Sequence, residues 1–148
     1  MTHRESWDEY FMRLAFNAAS RSTCLRRQVG AVAVIGKRIV ATGYNGAPSG
    51  LEHCIVNGCL RDKMEVPSGE RQELCMAVHA EQNVLIQAAT YGAKLYRSTI
   101  YVTESPCILC AKMLINAGIE RLVFRGHYPD HMGLELLEEA GISVEQHN

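Results

Sequence analysis

The chain has 148 residues, 47% of them hydrophobic and 21% charged, with a formal net charge of −1. This is the size and balance of one ordinary domain (1–148) with a full core; it excludes a disordered chain and gives no general attraction for nucleic acid. No run approaches the ~18 apolar residues that span a bilayer, and the polar start Met1-Thr2-His3-Arg4-Glu5-Ser6 lacks the apolar stretch of a secretion signal, so no membrane partner and a cytoplasmic location are expected.

Ser6-Trp7-Asp8-Glu9 reads as a capping box, with Tyr10, Phe11, Leu14, Ala15 and Ala18 at helical spacing behind it. Val29 to Ile35 is a β-branched and alanine-rich run that turns at Gly36-Lys37 into Arg38 to Thr42, which predicts an antiparallel hairpin. Helix and strand then alternate: a helix from His79 to about Thr90, a strand Thr99 to Thr103, a helix Cys107 to Ala117, a strand Arg121 to Phe124. A helix Leu134 to Ala140 and a short strand Ile142 to Val144 complete the chain. Gly92, Gly118 and Gly141 follow the three helices, where a C-terminal stop is expected. A hairpin followed by strand-linking helices predicts an α/β fold, a mixed five-stranded sheet covered by helices on both faces. Gly43 to Cys75 shows no sustained periodicity, and a structureless stretch of that length needs a reason in a compact domain.

His79-Ala80-Glu81 and the later Pro106-Cys107-Ile108-Leu109-Cys110 carry the chemistry. His79, Cys107 and Cys110 are three ligands for one zinc ion, which leaves a tetrahedral metal with a fourth position for water; a closed structural site would use four protein ligands. Zinc lowers the pKa of such a water to about 7. Glu81, two residues beyond the histidine, moves protons without coordinating the metal. The pairing matches the H-x-E…P-C-x-x-C arrangement of zinc nucleobase deaminases. His79 and Cys107 both fall at predicted helix N-termini, where free N–H groups favour a thiolate.

Cys24, Cys54, Cys59 and Cys75 remain, three of them in the irregular stretch. Four thiolates satisfy a closed structural zinc, which would hold a loop that buries little apolar surface. His53 could replace one thiolate, and four unrelated buried thiols are the plainer reading.

With both clusters in place the chain resembles the deoxycytidylate (dCMP) deaminases of the cytidine deaminase-like superfamily. The resemblance runs through Arg21-Ser22-Thr23-Cys24, Val29-Gly30-Ala31-Val32, Gly43-Tyr44-Asn45-Gly46-Ala47-Pro48-Ser49-Gly50 and Cys75 to Asn83. It continues through Tyr101-Val102-Thr103, Pro106 to Lys112, Asn116 to Ile119, Tyr128-Pro129-Asp130 and Ala140-Gly141-Ile142. Ser105 before the proline is familiar among deoxycytidylate enzymes, where many cytosine, guanine and tRNA-adenosine deaminases carry Glu. The resemblance implies a three-layer α/β/α fold and zinc-dependent conversion of dCMP to dUMP and ammonia, supplying dUMP for thymidylate synthesis. It places the sugar against Asn45 and the phosphate near Arg26 and Tyr128, with Arg27 competing, and counts Ala80 and Ser105 among the substrate-binding residues. Some members carry a second zinc on positions matching Cys24, Cys54, Cys59 and Cys75. Members are commonly hexamers activated by dCTP with magnesium and inhibited by dTTP; the loop of Gly43, Asn45 and Gly46 is the expected effector site, its glycines offering backbone N–H groups to phosphates. The competing readings are a deaminase of cytidine, guanine or tRNA adenosine, the last disfavoured by the mild acidity, and a zinc-stapled binding module without catalysis.

Overall fold

The computed structural model describes residues 3–148. Helix α1 (Trp7–Ala19) begins where the Ser6 hydroxyl accepts a hydrogen bond from the Glu9 N–H at 3.1 Å. Only this half of the expected capping box forms: the Glu9 carboxylate is drawn instead to His147 Nε2 (2.8 Å) and Arg125 (3.1 Å), which tie the helix to the end of the chain. Strands β1 (Gly30–Ile35) and β2 (Arg38–Tyr44) follow. Gly36 and Lys37 between them both take positive φ, 57° and 63°, as a tight two-residue hairpin loop matched to strand twist demands.

The stretch without sequence periodicity forms two single-turn helices, α2 (Cys54–Asn57) and α3 (Leu60–Lys63), and a 3₁₀ turn at Gln72–Leu74. Regular structure resumes with α4 (Ala80–Tyr91), β3 (Thr99–Glu104), α5 (Ile108–Ala117), β4 (Arg121–Gly126), α6 (Met132–Glu139) and β5 (Ser143–Gln146). Gly92 and Gly118 stop α4 and α5 with left-handed φ of 75° and 80°. Among the described residues no helix is long and apolar enough to cross a membrane.

The sheet has the order β2-β1-β3-β4-β5, with β1 antiparallel to both neighbours and β3, β4 and β5 parallel, which is the mixed five-stranded sheet the alternation predicts. Strand alternation assigns its two faces. Val32 opposite Tyr101 and Tyr101 opposite Val123 point to α1, where Phe11, Met12 and Ala15 cover them. Ala31, Ala33, Ile100, Val102, Leu122 and Phe124 point the other way, into a larger core closed by Val84 and Ala88 of α4, Leu114 of α5 and Leu137 of α6. Each large side chain so buried contributes on the order of 2 kcal/mol.

Two glycines set how closely helices approach. A Cβ at Gly30 would lie 2.1 Å from the Ala15 carbonyl oxygen, so α1 rests directly on the β1 backbone. A Cβ at Gly43 would lie 2.3 Å from the Ala80 carbonyl oxygen and 2.8 Å from the Val84 nitrogen, so the start of α4 is held against β2. Asn83 reinforces that contact by donating to the Tyr44 carbonyl at 2.7 Å.

Candidate active site and metal centre

The carboxyl ends of the parallel strands β3 and β4 open on a crevice, the usual position for a ligand in such sheets. Past β3 the chain passes through Ser105 and Pro106 to Cys107, the cap of α5; past β4 it reaches Tyr128. From the other side α4 presents His79 as its cap, with the His79 N–H donating to Gln82 Oε1 at 2.8 Å. One cavity is lined by His79, Glu81 and Cys107 together with Asn45, Ala80 and Ser105.

His79 Nδ1 lies 3.3 Å from Cys110 Sγ and 3.5 Å from Cys107 Sγ. With Zn–S near 2.3 Å and Zn–N near 2.1 Å, adjacent ligands on a tetrahedral zinc stand roughly 3.5 Å apart, so one ion fits these three atoms without rebuilding the site. Among the described residues these three form the one group of metal-type donors lying within 4.8 Å of one another. Their protonation is coupled. The Cys110 and His79 contacts pull the Cys107 thiol well below its ordinary value, Cys107 and Cys75 lift His79, and Cys107 pushes Cys110 upward. A metal ion must therefore displace protons from His79 and Cys110 as it binds.

Glu81 stands in the first turn of α4 and is only 4% exposed. Burial pushes its carboxyl up to about 7, offset in part by its own backbone N–H and by His79. A carboxyl with that value exchanges a proton readily at neutral pH, which is the property a general acid–base needs.

Ser105 is buried and its hydroxyl accepts from the Tyr128 N–H at 2.7 Å, which sets the path of the tyrosine into the cavity. Asn45 lines the cavity while its amide bridges two backbone groups, accepting from Val29 N–H and donating to the Arg27 carbonyl, both at 2.9 Å. The amide thereby fixes the segment that carries Arg27.

The arginine pair separates clearly. Arg26, expected near the phosphate, does not line the cavity; its guanidinium holds Asp62 at 2.6 Å and the Val66 carbonyl. Arg27 does line it, stacked 5.0 Å from the centre of the Tyr128 ring and bonded to Glu104 at 3.2 Å and to Ser68. Three further polar lining residues, Glu104, Arg61 and Gln72, were missed from sequence, as were the apolar Val29 and Ala77. Glu104 was legible as the end of a strand leading to the motif. Arg61 and Gln72 lie in the aperiodic stretch, where no sequence signal distinguishes them from surface residues.

Of the loop Gly43 to Gly50, expected to offer backbone N–H groups to an effector phosphate, Gly43, Asn45 and Gly46 are turned inward. All three are buried: Gly43 is a β2 residue pressed on α4, Asn45 is bonded as above, and Gly46 exchanges backbone hydrogen bonds with Val78 at 3.2 and 2.8 Å. The exposed part of that segment is Pro48 to Gly50.

Cys24, Cys54, Cys59 and Cys75 are neighbours but fall outside the 4.8 Å closeness of the first group. Burial raises the Cys54 thiol, and the other three cysteines add to that rise. Cys75 also contacts His79, whose hydrogen bond lowers its thiol. His53, considered as a substitute ligand, has its Nδ1 at 2.7 Å from the Thr23 hydroxyl.

Residues 5–125 match the family model for the cytidine and deoxycytidylate deaminase zinc-binding region. The chain is 41% identical over 126 residues to the deoxycytidylate deaminase of Mycobacterium phage D29, an alignment covering 82% of this chain and 95% of the phage protein. It is 37% identical over 145 residues to that of Schizosaccharomyces pombe, covering 97% of this chain but 45% of the yeast protein, so the chain spans about half the length of that relative. The crystal structure of dCMP deaminase from the cyanophage S-TIM5 in complex with dCMP and dUMP superposes with a TM-score of 0.80 at 29% identity, over 99% of this chain and 100% of that one. Family match, fold and metal donors agree: the chain belongs to the cytidine and deoxycytidylate deaminase family.

Proposed function

We propose that the chain hydrolyses dCMP to dUMP and ammonia. The observation that carries this reading is a buried carboxyl, Glu81, beside three metal donors in a cavity whose other lining includes two arginines and a tyrosine. His79, Cys107 and Cys110 would hold a zinc ion, which would supply an acidified water beside C4 of the cytosine. Glu81 receives a proton from that water and passes it to N3 of the ring. The remaining hydroxyl bonds to C4; Glu81 then takes its proton and delivers it to the amino nitrogen, which departs as ammonia when the C4–N bond breaks and leaves the C4 oxygen of dUMP. Asn45 and Ser105 hold the segments that border the sugar, and Tyr128 and Arg27 border the phosphate.

The test is a steady-state comparison of ammonia release from dCMP, dCTP, CMP, deoxycytidine and cytosine. A marked preference for dCMP is expected; deoxycytidine processed better than dCMP would defeat the assignment.

The same reading includes a second, structural zinc on Cys24, Cys54, Cys59 and Cys75. Its support is that four thiols converge on a segment with little regular structure, which a metal would draw together. Elemental analysis should give two zinc ions per chain; one zinc with four titratable thiols would refute it. A hexamer activated by dCTP with magnesium and inhibited by dTTP completes the proposal, resting on the family resemblance. Sigmoidal dependence on dCMP, made hyperbolic by dCTP, is the expected behaviour, and a monomer indifferent to both triphosphates would exclude it.

A further inference from the structure

Three arginines stand near the cavity, and their charges are answered differently. Arg26 is paired with Asp62 and does not line the cavity, although its NH1 is also buried without a partner. Arg27 reaches the cavity, but Glu104 lies against it at 3.2 Å, so its charge is largely compensated. Arg61 lines the cavity, is 5% exposed, and pairs with no carboxylate among the described residues. Its NH1 donates to a neutral acceptor, the Glu70 carbonyl at 3.0 Å, and its Nε is buried with no hydrogen-bond partner. A guanidinium removed from water with no carboxylate against it is costly, and an anion bound beside it relieves that cost.

The groups around Arg61 suit a phosphate. Tyr128 Oη accepts a hydrogen bond from Gln72 Nε2, which leaves the phenolic proton available to a ligand oxygen. Gln72 and Tyr128 line the same cavity as Glu81 and His79. A guanidinium presents paired donors that match two oxygens of a phosphate, which a lysine could not reproduce.

We propose that Arg61 is the specificity-determining residue of this site, binding the 5′-phosphate and separating nucleoside monophosphate from nucleoside, with Arg27 in a lesser part because Glu104 already holds it. The proposal rests on the reading of the chain as a dCMP deaminase. It differs from the sequence expectation, which placed the phosphate at Arg26 or Arg27.

The experiment measures kcat/KM for dCMP and for deoxycytidine in the zinc-loaded wild type, in Arg61→Gln and in Arg27→Gln, together with competitive inhibition by inorganic phosphate. Losing a charge-assisted bidentate contact corresponds to roughly a 100-fold change. The ratio of the two kcat/KM values should therefore fall about 100-fold in Arg61→Gln, through KM for dCMP, and phosphate inhibition should disappear; Arg27→Gln should lower the ratio by about tenfold or less. An unchanged ratio in Arg61→Gln overturns the proposal. So does an equal fall on both substrates accompanied by loss of zinc, because Arg61 would then be the counter-charge of the neighbouring thiolates. Should Arg61→Gln fail to fold, Arg61→Lys is read in the same assay, where a rise of about tenfold in KM for dCMP is expected and an unchanged KM is fatal. A wild type inactive on dCMP yet inhibited on deoxycytidine by inorganic phosphate, with that inhibition lost in the Arg61 variants, would sink the functional reading and keep the anion site.

Discussion

His79, Glu81, Cys107 and Cys110 stand on the first turns of α4 and α5, whose later turns are packed on the sheet, whereas Arg61, Gln72 and Cys75 reach the same cavity from segment 53–78, which has only single turns of helix. The difference has a physical origin. Proton transfer and metal binding tolerate little displacement, so their groups belong on elements fixed by a core. Recognition of a flexible substrate phosphate is less exacting and can be delegated to a loop. The proposed second zinc would be the means of stiffening that loop in place of a core.

The largest expected effect breaks the helical side alone. Glu81→Gln should retain zinc yet lose on the order of 10³-fold or more in kcat, since proton transfer is removed while the metal donors stay. The same variant carries a stability signature in the metal-free protein. Glu81 is raised to about 7 from an ordinary 4.5. Below pH 4.5 both folded and unfolded states keep it neutral. Between 4.5 and 7 the unfolded chain ionises first, so the native state loses stability, and above 7 the deficit stays constant. Glutamine should therefore stabilise the metal-free protein by on the order of 3 kcal/mol at pH 8 and not at pH 4, read by denaturant unfolding. Equal unfolding curves at both pH values would show that burial does not control this carboxyl.

Metal removal sharpens the contrast between the two sides. Cys107→Ala should lose the catalytic zinc and turnover together. Cys59→Ala should lower the yield of folded protein and its thermal midpoint while leaving the folded fraction near normal kcat. Zinc affinity at the catalytic site should fall as pH falls, because His79 and Cys110 both favour their protonated forms there and must release protons to bind. Measuring zinc retention against a chelator across pH 5 to 8 checks the direction; retention that improves on acidification would contradict the coupling.

The same division explains what could be read from sequence. The hairpin, α4, α5 and the sheet they cross announce themselves through periodicity, glycine stops and β-branched runs, and the H-A-E and P-C-x-x-C residues lie on those elements. Arg61 could not be found, because its role follows from burial without a carboxylate partner, a relation between distant residues rather than a pattern along the chain. Arg26 and Arg27 were indistinguishable for the same reason: the choice is made by Asp62 and Glu104, which lie 36 and 77 residues away. Gly43 and Gly46 were read as loop glycines. Their need for glycine and for backbone pairing comes from α4 and Val78, which only the fold brings near.

Gly43 and Gly30 test whether the site depends on helix placement beyond stability. Each would drive a new Cβ into helix backbone, at 2.3 Å from Ala80 and 2.1 Å from Ala15 respectively. Either change to alanine should destabilise by roughly 1–3 kcal/mol, as overpacking does. Only Gly43→Ala moves the turn that carries His79 and Glu81, so it alone should also lower kcat in the folded protein, by about tenfold or more. Equal kcat in the two variants would mean that α4 adjusts without disturbing the donors.

The smallest effect lies on the face of the sheet turned away from the site. Asp8 in the first turn of α1 receives hydrogen bonds from Arg121 at 2.9 and 2.7 Å and from the Tyr101 hydroxyl at 2.7 Å. The Arg121 contact is the chief reason that its carboxyl sits below the ordinary 3.8, against an opposing push from partial burial. A lowered carboxyl stabilises the fold above the unfolded value of 3.8, and that contribution is lost as pH falls through the lower folded value. The pair is about a third exposed, which screens it, so Asp8→Asn should cost roughly 1 kcal/mol at pH 7 and progressively less as pH falls below 3.8. Turnover on dCMP should be unchanged, because Asp8, Tyr101 and Arg121 touch neither the cavity nor its donors. A fall in kcat for Asp8→Asn at pH 7, with the protein fully folded, would show that the two faces of the sheet are coupled and that the helical side of the cavity is less rigid than its packing implies.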